Sequence, residues 1–352
     1  MEIMTMDDPT GTADKEAPRA AMRDIAALAG VSIATVSRVL NGRPDVSPRT
    51  RDLVLRQIRQ LGYVSSRTVT TPAGGRTGLI GLTVPYLEVG YFLMIIAGVC
   101  EALYERDARV VLSPTLHEHE REVTVLQRLM HRVTDGTLLI LPSETKAELR
   151  QLRQLGAPFV VIDPGTPLDD NIPVVAAANW SGARMATEHL IALGHRRIGL
   201  ITGPKELCAS VDRTAGYHSA LLAGGLPIVP ELTREANFHL EGGCEAAHDL
   251  LSLPDRPTAI FAINDNMAIG VMRAARERGL DIPRQLSVVG FDDIDIAVVA
   301  YPALTTVSQP LQEMGRLAVS VLYRQINGQA LEAHRIELST RLVVRGSTAP
   351  PG

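Results

Sequence analysis

Two groups of residues in this sequence have types and spacings that could do chemistry. The first is the run Ser32-Ile33-Ala34-Thr35-Val36-Ser37-Arg38. At helical spacing Val36, Val39 and Leu40 share an inward face, which leaves Ile33, Ala34, Ser37 and Arg38 outward. Laid in a major groove, that outward face could donate a guanidinium fork from Arg38 to guanine. Ile33 and Ala34 could offer only apolar contact, for example to a thymine methyl. Thr35, Asn41, Ser47, Thr50 and Tyr63 supply hydroxyl and amide groups of the kind that position phosphates, and Ser32 is a further candidate DNA contact.

The second group is scattered along the chain: Tyr91, Phe92, Asp163, Arg213, Phe238, Asn264 and Asp292. These fall at or beyond the ends of β-rich apolar runs, and ligands of open α/β sheets bind outside the carboxyl ends of the strands. A carboxylate and a guanidinium can each bind two neighbouring hydroxyls. An aromatic face covers the apolar side of a sugar ring. Each residue also admits a structural role. Asp265 reads as an N-cap of the following helix rather than a ligand contact. Asp163 could cap a turn before Pro164. Arg213 and Asp292 could form a structural ion pair, and Tyr91, Phe92 and Phe238 could be plain core. The single Trp180 reads as packing or interface.

Other chemistry finds little support. His117-Glu118-His119-Glu120 does not place both histidines on one helix face, so it reads as a solvated helix start rather than a metal site. There is no Gly-x-Ser-x-Gly elbow and no Walker loop, and no nucleophile–base constellation stands out. No catalytic residue, metal or cofactor is expected. The cysteines Cys100, Cys208 and Cys244 are odd in number and widely spaced, which suits reduced thiols.

The elements that must position the first group lie near the N-terminus. Residues 1–19 lack apolar periodicity and read as a disordered tail. A helix from Met22 buries Met22, Ile25, Ala26, Leu28 and Ala29 and stops at Gly30, whose freedom at positive φ allows a tight turn. Ser32 caps a second helix. Ser47-Pro48 opens a third, with Leu53, Val54, Ile58 and Leu61 inward. The whole, 20–64, is a helix-turn-helix domain. Charge agrees: residues 19–67 carry nine arginines against three aspartates, while residues 1–18 sum to −4 within a chain of net charge −4. A basic module on an acidic body points to a polyanion.

Residues 65–77, SSRTVTTPAGGRT, read as a linker. Strands then alternate with helices. Strands are expected over 79–84, 108–113, 136–141 and 158–162, with helices over 92–106, 118–131 and 146–155. A second series starts near Val174, with helices over 181–193, 213–223 and 266–278 and strands over 197–202, 259–263 and 287–291. Such order gives parallel sheets between helix layers. The expected fold is an all-α helix-turn-helix domain followed by an α/β two-lobed domain over 78–347. Its first lobe is expected over 78–175 and 305–328, its second over 176–304 and 329–347, and 348–352 is left as a tail.

The stretch MRDIAALAGVSIATVSRVLNG, followed by VSPRTRDLVLRQIRQLGYV, resembles the DNA-binding module of the lactose-repressor (LacI/GalR) family. The resemblance continues through EHLIALGHRRIGLITGP, RTAGY, RPTAIFAINDNMAIG, LSVVGFDD and PALTTVSQP, covering about 22–347. It implies a periplasmic-binding-protein-like body with three crossings between its lobes. It also places effector contacts at Tyr91, Phe92, Asp163, Arg213, Phe238, Asn264 and Asp292, and adds Gln309. At the linker the sequence departs from its family. Hinge positions that usually carry Asn, Ala and Leu hold Ser66, Val69 and Pro72, and proline clashes inside a helix. Pro72 can still serve as an apolar wedge in a minor groove.

The expected function is a ligand-responsive transcriptional regulator, a cytoplasmic homodimer on palindromic double-stranded DNA, released by a sugar or small oligosaccharide. Effector alternatives are a nucleobase co-repressor or a partner phosphoprotein. An exported sugar-binding transport protein would share the lobes, but it would need a signal peptide and would not carry the arginine-rich helix-turn-helix. No apolar run reaches the roughly 18 residues that span a bilayer.

Overall fold

The computed structural model describes residues 22–40, 43, 45–60, 76–87, 90–116, 118–130 and 133–352. The expected tail 1–19, Asn41, Tyr63, Pro72 and linker residues 65–75 lie outside them. The chain forms two units, Met1–Thr70 and Thr71–Gly352.

In the first unit, α1 (Met22–Ala29), α2 (Ile33–Leu40) and α3 (Pro48–Gln60) enclose Ile25, Ala26, Ala29, Val36, Val39 and Val54. Gly30 takes φ 63° at the turn, as the sequence reading requires. Ser32 caps α2, its Oγ accepting from Thr35 N–H at 3.1 Å, and Ser47 caps α3 through Thr50 N–H at 3.2 Å. The buried stripe of α1 is narrower than expected, because Met22 and Leu28 are exposed.

The second unit holds two sheets. The first sheet comprises β1 (Leu79–Val84), β2 (Arg109–Pro114), β3 (Gly136–Ile140), β4 (Phe159–Ile162), β5 (Val174–Ala177) and β11 (Arg335–Leu338). Their order is β11-β5-β4-β3-β1-β2, and every pairing is parallel. Helices α4 (Tyr91–Tyr104), α5 (His119–Met130), α6 (Lys146–Gln154) and α12 (Leu311–Ile326) cover it. The second sheet comprises β6 (Ile198–Thr202), β7 (Thr233–Glu235), β8 (Ala259–Ala262), β9 (Ser287–Asp292), β10 (Thr305–Ser308) and β12 (Arg341–Val343). Its order is β12-β10-β9-β8-β6-β7, parallel except for β10–β12. Helices α7 (Asn179–Ala192), α8 (Cys208–Ala223), α9 (Leu240–Leu251), α10 (Asp265–Glu277) and α11 (Asp295–Val299) complete that lobe.

The strand runs are apolar without alternation because both faces are covered, the pattern of parallel sheets. Both sheets repeat one winding, in which the chain reverses direction about β1/β3 and about β6/β8. Side chains beyond those strand ends are thus brought to a switch point.

The structure moves the expected lobe boundaries. β5 belongs to the first sheet, so the second series begins after it, at α7. β10 pairs with β9 in the second sheet, and β11 pairs with β5 in the first. The chain therefore changes lobe after β5, after β10 and after β11, which is the three crossings implied by resemblance. Sequence order alone does not reveal which sheet a short strand joins. Residues 348–349 are also not a loose tail: His189 contacts the Thr348 hydroxyl, and His195 and Ser287 bond the Ala349 carbonyl.

Candidate functional site

The outward face of α2 carries Ile33 (52% exposed) and exposed Ala34 and Arg38, with Thr35 and Ser37 half-buried. Arg38 Nη1 lies 3.6 Å from Asp45 Oδ2, both side chains more than half exposed. That pairing is weak in water, so the guanidinium is available to a stronger acceptor. Ser32 and Ser47 spend their hydroxyls on helix caps and on Thr35 and Thr50. Caps aim the helix starts, and helix N-termini themselves suit phosphate.

In the second unit, the ends of β1, β3, β4, β6, β8 and β9 converge on a cleft of about 290 Å³, near the lower end of the roughly 300–1,000 Å³ common for small-ligand sites. It is lined by Tyr91, Phe92, Asp163, Arg213, Phe238, Asn264 and Asp292, seven of the eight residues expected from the sequence. Gln309 stands behind it, donating through Nε2 to Asp292 Oδ1 at 2.7 Å. Sequence reasoning did not single out Tyr86, Leu141, Asn237, His239 or Asn266, which also line the cleft. Asn237 and His239 flank Phe238, and Asn266 follows Asn264 by two, so proximity to the motifs was the only signal.

Backbone strain gathers here. Of seven non-glycine residues with positive φ among those described, Leu141 (46°), Asp163 (51°), Phe238 (66°) and Asp292 (113°) line the cleft. Left-handed backbone at non-glycine residues is unfavourable, and it marks sites where aim matters more than local stability.

The walls are electrostatically distinct. On the first lobe, Tyr91 donates its hydroxyl to Asp163 Oδ2 at 2.7 Å, and burial raises the carboxyl of Asp163 above its ordinary value. On the second lobe, Arg213 Nη1 stands 3.4 Å from Asp292 Oδ1. Arg213 Nε donates to Asn179 Oδ1 at 2.8 Å, Nη1 also donates to Ile263 O, and the guanidinium lies 3.8 Å from the Phe291 ring centre. Arg213 comes from within α8, which begins at Cys208, and not from the end of a loop as the sequence suggests. Burial pushes Asp292 up to about 7 despite Arg213 and Gln309, which hold it down.

The capping assignment also changes. Asn264, not Asp265, caps α10, its Oδ1 accepting from Met267 N–H at 2.9 Å while Nδ2 donates to Phe238 O. Asp265 is fully buried and binds Ile294 N–H and the Thr306 hydroxyl, tying β9 to β10. Neither oxygen of Asp265 is left for a cap.

Away from the cleft, Cys244, His248 and Glu277 bring possible ligand atoms within 4.8 Å. Arg278 Nε faces His248 Nδ1 at 3.0 Å, Arg273 Nε donates to Glu277 Oε1 at 2.9 Å, and His248 Nε2 lies 2.9 Å from Glu277 Oε2, so His248 and Glu277 already have partners within the protein. Among the described residues no helix is long and apolar enough to cross a membrane.

A basic helix-turn-helix followed by a two-lobed body with a polar, aromatic cleft defines a ligand-controlled DNA-binding transcriptional regulator. Residues 21–66 match the model of bacterial regulatory proteins of the lacI family, and residues 187–348 match the periplasmic binding protein-like domain. The HTH-type transcriptional regulator CelR of Thermobifida fusca is 37% identical over 94% of this chain and 98% of its own. The ribose operon repressor of Escherichia coli K12 is 35% identical over 93% and 99%. A solved CelR–cellobiose complex superposes with TM-score 0.72 at 35% identity over 94% of this chain and all of that one. The lac repressor dimer bound to operator and the anti-inducer ONPF gives 0.72 at 30%, over 94% and 99%. The chain belongs to the LacI family of transcriptional regulators.

Proposed function

We propose that this regulator is a homodimeric repressor of sugar-utilisation genes whose operator affinity falls when a neutral sugar or small oligosaccharide closes its cleft. The observation that carries this is the pairing of two buried charged sets on opposite lobes, Asp163–Tyr91 and Asp292–Arg213. Each set offers acceptors and donors at spacings that suit neighbouring hydroxyls. Phe92 and Phe238 supply apolar faces between them. Two carboxylates against one guanidinium disfavour an anionic effector, which argues for a neutral sugar over a phosphorylated one. A ligand that contacts both lobes favours their closed arrangement, and an effector shifts an equilibrium only through such a difference in affinity.

DNA reading is assigned to Arg38, Ile33, Ala34 and Ser37, with Ser32, Thr35, Asn41, Ser47, Thr50 and Tyr63 toward phosphates and Pro72 at the hinge. The resemblance of the cleft-bearing body to a cellobiose complex supports a disaccharide as the first ligand to try. A thermal-shift screen of mono- and disaccharides tests the reading, since a ligand of the folded state raises its stability. A nucleobase that stabilises the protein where no sugar does would replace it.

A further inference from the structure

Two glutamates are buried at the end of the first sheet, at the N-terminal turns of α5 and α6. Glu122 is fully enclosed and Glu144 is 3% exposed. Glu122 Oε2 accepts from Ser143 N–H at 3.1 Å and from the Ser143 hydroxyl. Glu122 Oε1 and both oxygens of Glu144 meet no donor among the described residues. Yet the two carboxyl groups are hydrogen-bond neighbours. Two carboxylates have only acceptors to offer, so the contact needs a proton between them. Burial, then the charge of Glu122, pushes the Glu144 carboxyl up to about 8. Glu144 is the carboxyl that is held up, and once protonated it has the donor that Glu122 lacks.

The other ionisable groups at these two helix starts are Glu118, His119, Glu120 and Arg121 beside α5 and Lys146 and Glu148 of α6. His119 Nε2 lies 3.1 Å from Glu148 Oε1, and its Nδ1 lies 3.1 Å from Ser143 O. Strands β1, β3 and β4 carry no ionisable residue. Glu144 belongs to the loop 141–145, and Glu122 binds Ser143 of the same loop. That loop starts at Leu141, a strained residue of the cleft wall, passes Ser143, and ends at Thr145, the N-cap of α6.

We propose that Glu122 and Glu144 share one proton at neutral pH, and that this carboxyl pair positions the 141–145 loop and with it the Leu141 wall of the effector cleft. When both ionise, two like charges sit together in a water-poor site, and the loop is released. The consequence for effector affinity rests on the cleft being the effector site, whereas the lock itself does not.

Amide hydrogen exchange of the full-length protein tests the lock. Exchange of residues 141–145 is followed from about pH 6.5 to about pH 9.5 and corrected for the intrinsic pH dependence of exchange. As pH rises toward about 8 the wild type should lose protection roughly tenfold per pH unit, and the loss should level off above about pH 8, where the pair is already ionised. Glu144→Gln, whose amide still donates to Glu122, should keep a flat profile. Thermal stability gives a second reading. The folded chain retains a proton that the unfolded chain loses above about 4.5, so Glu144→Gln should gain on the wild type as pH rises from there to about 8. Matching exchange profiles and parallel stability curves would overturn the proposal. So would protection of the wild-type loop, but not the variant's, by Mg²⁺ or Ca²⁺, since the carboxylates would then be cation ligands. Titration with cellobiose and ribose over the same pH range separates the two readings. If neither sugar binds, the cleft assignment fails, and the exchange profiles still judge the pair.

Discussion

Arg213 Nη1 stands 3.4 Å from Asp292 Oδ1 with both side chains nearly enclosed, so the second lobe meets the cleft with its charge pair already formed. Gln309 holds the same carboxylate oxygen from behind. A sugar therefore meets an aimed acceptor rather than one it must organise, which is the condition for affinity from few contacts. Replacing Asp292 by Asn keeps the shape and removes the charge. Asp292→Asn should weaken sugar binding by about 1.5–3 kcal/mol, the range for a hydrogen bond to a charged group. Operator binding without sugar should stay within a factor of about two. Calorimetry and DNA anisotropy on the same preparation check both halves.

The same residue sets a pH dependence. Its folded-state value is raised from 3.8 to about 7, so the stability it contributes is present below 3.8 and is lost as pH rises to about 7. Asp292→Asn should therefore gain stability relative to the wild type across that window. A hydroxyl donating to Asp292 favours the ionised form, so sugar affinity should rise with pH toward 7, and binding near pH 7 should release a proton. Calorimetry in buffers of different ionisation enthalpy measures that proton directly. Uptake instead of release would place the sugar's hydroxyl elsewhere.

Arg38 is exposed and only loosely paired with Asp45. Arg38→Ala should lose about 1–3 kcal/mol at one base-pair position and relax specificity there. Anisotropy against a set of single-substitution duplexes reads this. An equal loss on every duplex would make Arg38 a phosphate contact.

Gly98 of α4 and Gly315 of α12 let two helices of the first lobe touch backbone to backbone. A Cβ on Gly98 would lie 1.9 Å from Gln312 O, and one on Gly315 would lie 2.3 Å from Ile95 O. Gly98→Ala and Gly315→Ala should each destabilise the second unit by about 1–3 kcal/mol through overpacking. Chemical denaturation followed by circular dichroism reads the loss.

The sequence shows the strand ends because apolar runs stop there, and it shows Asp163, Arg213 and Asp292 because charge at such a stop is unusual. It does not show how those charges are shared. Asp265 and Asn264 are neighbours of similar chemistry. Only the fold reveals that Ile294 and Thr306 face the first, which leaves the cap to the second. Gln309, a contact by resemblance, follows β10, the strand next to β9, and there it donates to Asp292 Oδ1. The short strands β10 and β11 exchange lobes for a related reason. A four-residue strand joins whichever sheet edge its connections reach, and that depends on tertiary geometry rather than on local pattern.

The central claim is that a sugar in this cleft lowers affinity for DNA. It is tested by anisotropy titration of the full-length protein onto a duplex selected by the protein from a random pool, with and without saturating sugar. The sugar is the one that most raises thermal stability. The account predicts dimeric binding that weakens steeply with salt, a marked loss of affinity on adding the sugar, and no such loss for Asp292→Asn. A sugar that stabilises the wild type through Asp292 yet leaves its DNA affinity unchanged, or strengthens it, would contradict the account.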